Sequence, residues 1–110
     1  MNKVLIQMLE IYKPELWDNH CWMDYKLTKD SPYTFHHIVE ARNGGKKIIS
    51  NGAILTLNAH RYLNFLDNRH HNIYKELNCL FYDLNRTYAP PTQEYYEEVR
   101  HVLKKVRKLG

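Results

Sequence analysis

The stretch YTFHHIVEARNGGKKIISNGAILTLNAHRYLN, residues 33–64, decides how this chain folds. Tyr33-Thr34-Phe35-His36-His37-Ile38-Val39 is rich in β-branched and aromatic residues and predicts a strand. Asn43-Gly44-Gly45 predicts a loop, and Asn51-Gly52 a tight turn after Lys46-Lys47-Ile48-Ile49-Ser50. Ala53-Ile54-Leu55-Thr56-Leu57 predicts a second short strand. Asn58 then stands where an N-cap belongs, ahead of a helix carrying His60, Leu63 and Asn64. A strand pair running into a helix can fold His36, His37, Asn51 and His60 onto one small site.

Outward from this centre the signals are mostly helical. Val4, Leu5, Met8, Leu9 and Tyr12 fall at helical spacing up to Pro14 and predict a short amphipathic helix. Residues 15–32 show no clear period; Trp17, Trp22 and Tyr25 belong against the core, and Ser31-Pro32 signals a turn. His70-His71 reads as a helix start at the surface, followed by Ile73, Leu77, Leu80 and Leu84 on one helix face. Tyr88-Ala89-Pro90-Pro91 breaks that helix, and Thr92 caps a last one through Tyr95, Val99, Val102, Val106 and Leu109. The expected architecture is α+β: a two-stranded unit and one helix, over about residues 33–69, wrapped by an N-terminal and two C-terminal helices.

A chain of 110 residues holds one domain with one modest core. Apolar residues at 44% and charged residues at 25% exclude a disordered chain. The longest aliphatic run near the N-terminus is Val4-Leu5-Ile6, too short for a membrane span or a signal-peptide core. A soluble cytoplasmic protein is therefore expected. Cys21 and Cys79 are too few for a disulfide framework or a four-cysteine zinc site, and both are expected to be buried, inert thiols. The formal charge is +4, and Arg42, Lys46, Lys47 and Arg61 surround the central motif with only Glu40 among them. They are either a solvated face or a phosphate-contacting rim. In the last helix Glu94, Glu97 and Glu98 precede Arg100, Lys104, Lys105, Arg107 and Lys108, which complements the helix dipole on a solvated surface.

The ordered set His36-His37-Ile38-Val39-Glu40, Gly44-Gly45, Asn51-Gly52-Ala53-Ile54-Leu55-Thr56 and Ala59-His60 resembles the HNH family of nucleases, which have the ββα-metal fold. It is most similar to small HNH proteins of bacterial and phage genomes; a phage-encoded chain would act in the host cytoplasm. The resemblance implies that His37 is the general base, a role that suits an imidazole because its proton affinity lies near neutrality. It implies that His36 and His60 ligate a divalent metal, and that Asn51 holds the loop and orients the catalytic histidine. The implied reaction is hydrolysis of DNA, double-stranded and gripped mainly by its backbone, to a 5′-phosphate and a 3′-hydroxyl. Arg42, Lys46, Lys47 and Arg61 would contact that backbone.

Two departures from the family pattern matter. Close relatives often carry a second histidine four residues after the terminal one, where this chain has Asn64. Positions 60 and 64 share a helix face, so Asn64 would supply an oxygen ligand, which favours Mg²⁺ or Mn²⁺ over Zn²⁺. The alternative is a catalytically weakened module that keeps the scaffold to bind DNA or a protein partner. The paired Cys-x-x-Cys knuckles of many relatives are also missing: Cys21 is followed at that spacing by Asp24, so no structural zinc is expected. So small a chain has little room for a separate recognition domain, so a homodimer or a partner protein would have to supply any specificity. A third reading makes every histidine structural and predicts neither metal nor DNA binding.

Overall fold

The computed structural model describes residues 2–109. Two antiparallel strands and four helices form an α+β domain. Helix α1, Lys3–Tyr12, is capped by Asn2, whose side chain accepts from Leu5 N at 2.8 Å. It stops at Lys13 because the residue before Pro14 is excluded from helical geometry. Leu5, Met8 and Tyr12 are its buried face.

Strand β1, Tyr33–His37, pairs with β2, Gly52–Thr56, so that His36 faces Ala53 and His37 faces Gly52. Every residue of β2 is buried. Trp22 N donates to Ile54 O at 3.0 Å, so the 18–26 segment covers the edge of β2 that β1 leaves free. The pairing ends two residues earlier than the expected strand through Val39, because Ile38 and Val39 instead bond to Asn51.

Helix α2, Leu57–Arg69, follows β2 with no intervening loop. Its N-cap is Thr56, whose Oγ1 accepts from Ala59 N at 3.3 Å, and not Asn58. Asn58 is already inside the first turn, with its N–H donated to Ser31 Oγ at 2.9 Å. Asn51-Gly52 is likewise not a turn. Asn51 closes a short 3-10 turn and Gly52 is extended at φ −108°. Glycine is needed there for space: a Cβ would meet Phe35 Cε2 at 2.4 Å and Met8 Sδ at 2.7 Å.

Helix α3, His71–Asn85, starts at the expected His70-His71 pair, and α4 is Gln93–Leu109, with Thr92 Oγ1 accepting from Tyr95 N. The core joins all these elements, with Trp22, Met8, Leu63, Leu77, Phe81 and Val99 almost fully buried. Trp17 packs on Tyr96 and Tyr25 on Tyr62 at the margins. Cys21 is buried as expected, but Cys79 is exposed, because its position on α3 turns away from the Ile73–Leu77–Leu84 stripe. No helix among the described residues is long and apolar enough to cross a membrane.

Candidate active site

The strand alternation sends Thr34 and His36 to the face covered by α2 and α3, and Phe35 and His37 to the other. His37 is the last residue of β1, so its half-buried ring still reaches the mouth of the same cavity. That cavity, of about 380 Å³, is open to solvent and is lined by His36, His37, His60, Asn64 and Arg42, together with Glu40, Asp67 and Tyr74. β1, the segment after it, α2 and α3 contribute, so the site exists only in the folded chain.

The hydrogen bonds determine which nitrogen the His36 and His60 imidazoles each leave free. Asn78 Nδ2 donates to the Ile38 carbonyl at 2.9 Å, which orients its amide. Asn78 Oδ1 is then an acceptor, and His36 Nε2–H donates to it at 2.8 Å. The lone pair of His36 is therefore on Nδ1. Thr34 Oγ1 donates its single proton to Leu55 O at 2.8 Å. It must accept from His60 Nδ1–H, 2.9 Å away, which leaves the His60 lone pair on Nε2. The two rings lie edge to face with centroids 5.4 Å apart, a separation that one ion with metal–nitrogen bonds of about 2 Å can span.

Burial keeps both rings neutral. His36 is 5% exposed, and its pKa is pushed down to about 4, mainly by loss of hydration and only partly offset by Asn78. His60 is lowered in the same direction, first by burial and then by the neighbouring His37. Neutral imidazoles with one nitrogen fixed by a protein acceptor are the form that ligates metals. The donor set thus fits a divalent ion. Among the described residues no three His, Cys, Asp or Glu side chains converge as a metal cluster, so oxygen from Asn64, water or phosphate would complete the sphere.

A pH dependence follows. Above about pH 6.5 His36 is neutral in both folded and unfolded chains, and below it only the unfolded chain takes up the proton. Metal-free protein is therefore expected to lose roughly 3 kcal/mol of stability as the pH falls from about 6.5 to about 4. Urea midpoints across that range check it. His36→Gln, which can still donate to Asn78, should flatten the slope; an unchanged slope would refute the assignment.

Asn51 stands behind the site. Its Oδ1 accepts from Val39 N at 2.8 Å, and its Nδ2 donates to Val39 O and Lys46 O, both at 3.0 Å. Its backbone oxygen also accepts from Ile38 N. It clamps the chain directly after His37, holding the loop, and its hydrogen bonds go to backbone groups of Ile38, Val39 and Lys46. Gly44 ends a second short 3-10 turn, Ala41–Asn43, at φ +88°, and Gly45 lies so close to Val39 O that a Cβ there would stand 1.7 Å away.

Of the four expected phosphate contacts, only Arg42 lines the cavity, where it pairs with Glu40. Lys46 and Arg61 are exposed outside it, and Lys47 lies over the Phe35 ring at 5.9 Å, on the strand face away from His36. Residues that sequence reasoning missed are Thr34, Glu40, Asp67, Tyr74 and Asn78. Glu40 Oε1 accepts from Tyr74 OH at 3.3 Å, and Asp67 Oδ1 is 2.9 Å from His71 Nδ1, so each rim carboxylate faces a donor. Asp67 was legible as the next position on the face of His60 and Asn64. Asn78 had no local signal beyond being polar between Leu77 and Leu80.

Comparison with protein-family models, curated proteins and solved structures finds no match for the chain.

Proposed function

We propose that the chain is a divalent-metal-dependent endonuclease that hydrolyses DNA phosphodiester bonds, with a ββα-metal core over about residues 33–69. The observation that supports it is the pair His36 and His60. They come from different elements, each has one nitrogen fixed by a protein acceptor and the other without a protein partner, and both residues line a cavity shared with His37. His36, His60 and the oxygen of Asn64 are the ligands, a mixed set that suits Mg²⁺ or Mn²⁺ better than Zn²⁺. When bound, the ion polarises a phosphate oxygen and stabilises the leaving 3′ oxygen. His37 takes a proton from the water that attacks phosphorus, and the bond to the 3′ oxygen breaks. Asn51 holds the backbone beside His37, and Arg42 meets phosphate oxygens. Double-stranded DNA gripped through its backbone, with weak sequence preference, fits this set.

A non-catalytic module that binds DNA or a protein partner is the second reading. Asn64 favours it, because it is exposed and stands where many of the HNH proteins that the motif resembles have a further imidazole. Plasmid nicking with Mg²⁺, Mn²⁺ and Zn²⁺ in turn separates the two readings. Metal-dependent nicking by the wild type supports the nuclease. Nicking gained only in Asn64→His would mean a site disabled at that ligand. No nicking by either protein, with DNA still held in chelator, would favour the module.

Asn78→Leu tests the metal site without using activity. It removes the acceptor that holds His36 Nε2–H and is expected to weaken Mn²⁺ binding by about 10–100-fold, read by calorimetric titration. An unchanged affinity would sink the proposed ligand role of His36.

A further inference from the structure

We propose that Glu40 and Asp67 set the order in which the histidine cavity fills, a divalent cation first and a phosphodiester second, an ordering that rests on the metal site proposed above. Both carboxylates line the cavity, and both are fastened around one buried side chain, Tyr74, whose ring meets His36 edge to face with centroids 6.4 Å apart. Glu40 Oε1 accepts from Tyr74 OH at 3.3 Å, and its other oxygen pairs with Arg42. Asp67 Oδ1 lies 2.9 Å from His71 Nδ1, and the His71 ring stacks on Tyr74 at 5.6 Å between centroids. Each carboxylate is about three-quarters shielded from solvent, at 25% exposure.

The wall is therefore acidic where the phosphate would sit. His36 and His60 each hold one ring proton, committed to Asn78 and Thr34, and add no charge. Against the two carboxylates stands one guanidinium, Arg42, which is already paired with Glu40 and is mostly exposed. A phosphodiester entering before the metal thus meets one negative charge in excess, and is repelled. A divalent cation is attracted by the same wall and leaves one positive charge in excess once bound. Glu40 and Asp67 oppose the anion directly and recruit the ion that makes it acceptable.

The other cations near the motif do not cancel this balance. Lys46 and Arg61 are exposed outside the cavity, and Lys47 lies over Phe35 on the other strand face. At physiological salt, charges separated by more than about 8 Å of solvent are largely screened, so the groups on the wall dominate within it. The outer cations supply a background affinity for DNA that is indifferent to the metal.

The test uses the full chain at fixed ionic strength and about pH 8, above the ordinary imidazole range. Anisotropy reads the affinity for a short labelled duplex with phosphorothioate linkages, which resist hydrolysis, and calorimetry reads the affinity for Mn²⁺. Mn²⁺ should tighten DNA binding by about tenfold, and by linkage the duplex should tighten Mn²⁺ binding by the same factor. His60→Ala should lose that gain, which excludes an effect of Mn²⁺ on the DNA alone. Glu40→Gln and Asp67→Asn keep an acceptor for Tyr74 and His71. Each should tighten DNA binding in chelator by about threefold and weaken Mn²⁺ binding by a similar factor. Opposite effects on anion and cation are the mark of charge, whereas a structural role would weaken both. A duplex held as tightly in chelator as with Mn²⁺, while calorimetry still shows Mn²⁺ bound, overturns the ordering and leaves the metal site standing. A wild type that binds no Mn²⁺ overturns the metal site and the ordering together. Variants that leave DNA affinity in chelator unchanged overturn the role of Glu40 and Asp67.

Discussion

His37→Ala is expected to slow metal-dependent plasmid nicking by about 10²–10⁴-fold, the contribution of one positioned general base. The loss should come with little change in fold. His37 is half-buried at the end of β1, and its ring meets the protein chiefly through the edge of Phe35, at 4.9 Å between centroids. Mn²⁺ affinity should also be preserved, because the proposed ligands are His36, His60 and Asn64. That combination, with rate lost and metal retained, separates a base from a ligand. If His37→Ala nicks DNA as fast as the wild type, the assignment of the base is wrong. If it loses Mn²⁺ as well, His37 belongs to the ligand set.

Asn85→Ala is expected to produce the largest loss of stability, about 3 kcal/mol or more. Asn85 is 1% exposed, near the end of α3. Its Nδ2 donates to Ile49 O at 2.6 Å and to Gly52 O at 2.8 Å, and its backbone oxygen accepts from Tyr12 OH. One side chain thus ties α3 to the turn that leads into β2, beside α1. Alanine would leave two carbonyls without that donor at a cost of about 1–3 kcal/mol each. The melting temperature should fall by roughly 15 °C. Asn85→Asp should be at least as damaging, because a carboxylate would face the same two carbonyl oxygens. A shift of only a degree or two would show that water replaces the amide at little cost.

Much of the local structure was legible in the residues. The α1 stop at Pro14, the β1 start at Tyr33, the helix start at His70-His71 and the Thr92 cap all follow from chemistry within a few positions. The misreadings share a cause. Asn58 is as good a cap as Thr56 in isolation, but Ser31, distant in sequence, already takes the Asn58 N–H. Gly52 looks like a turn glycine, yet Phe35 and Met8 press on it from other elements. Cys79 looks like a core thiol, but the face of α3 that is buried is set by what packs on it. The charges around the motif fit either a solvated face or a phosphate rim, and only folding separates Arg42, on the cavity, from Lys47, over Phe35.

By itself the sequence determined the α+β order of elements and the histidines, Asn51 and the two glycines that merit attention, because strand alternation, helix period and turn chemistry are local properties. Tertiary structure alone decided which nitrogens of His36 and His60 are free, because their partners, Asn78 and Thr34, lie on other elements, and pairing across elements leaves no mark in a local window. It also decided that His36 is held neutral, since desolvation depends on everything packed around the ring.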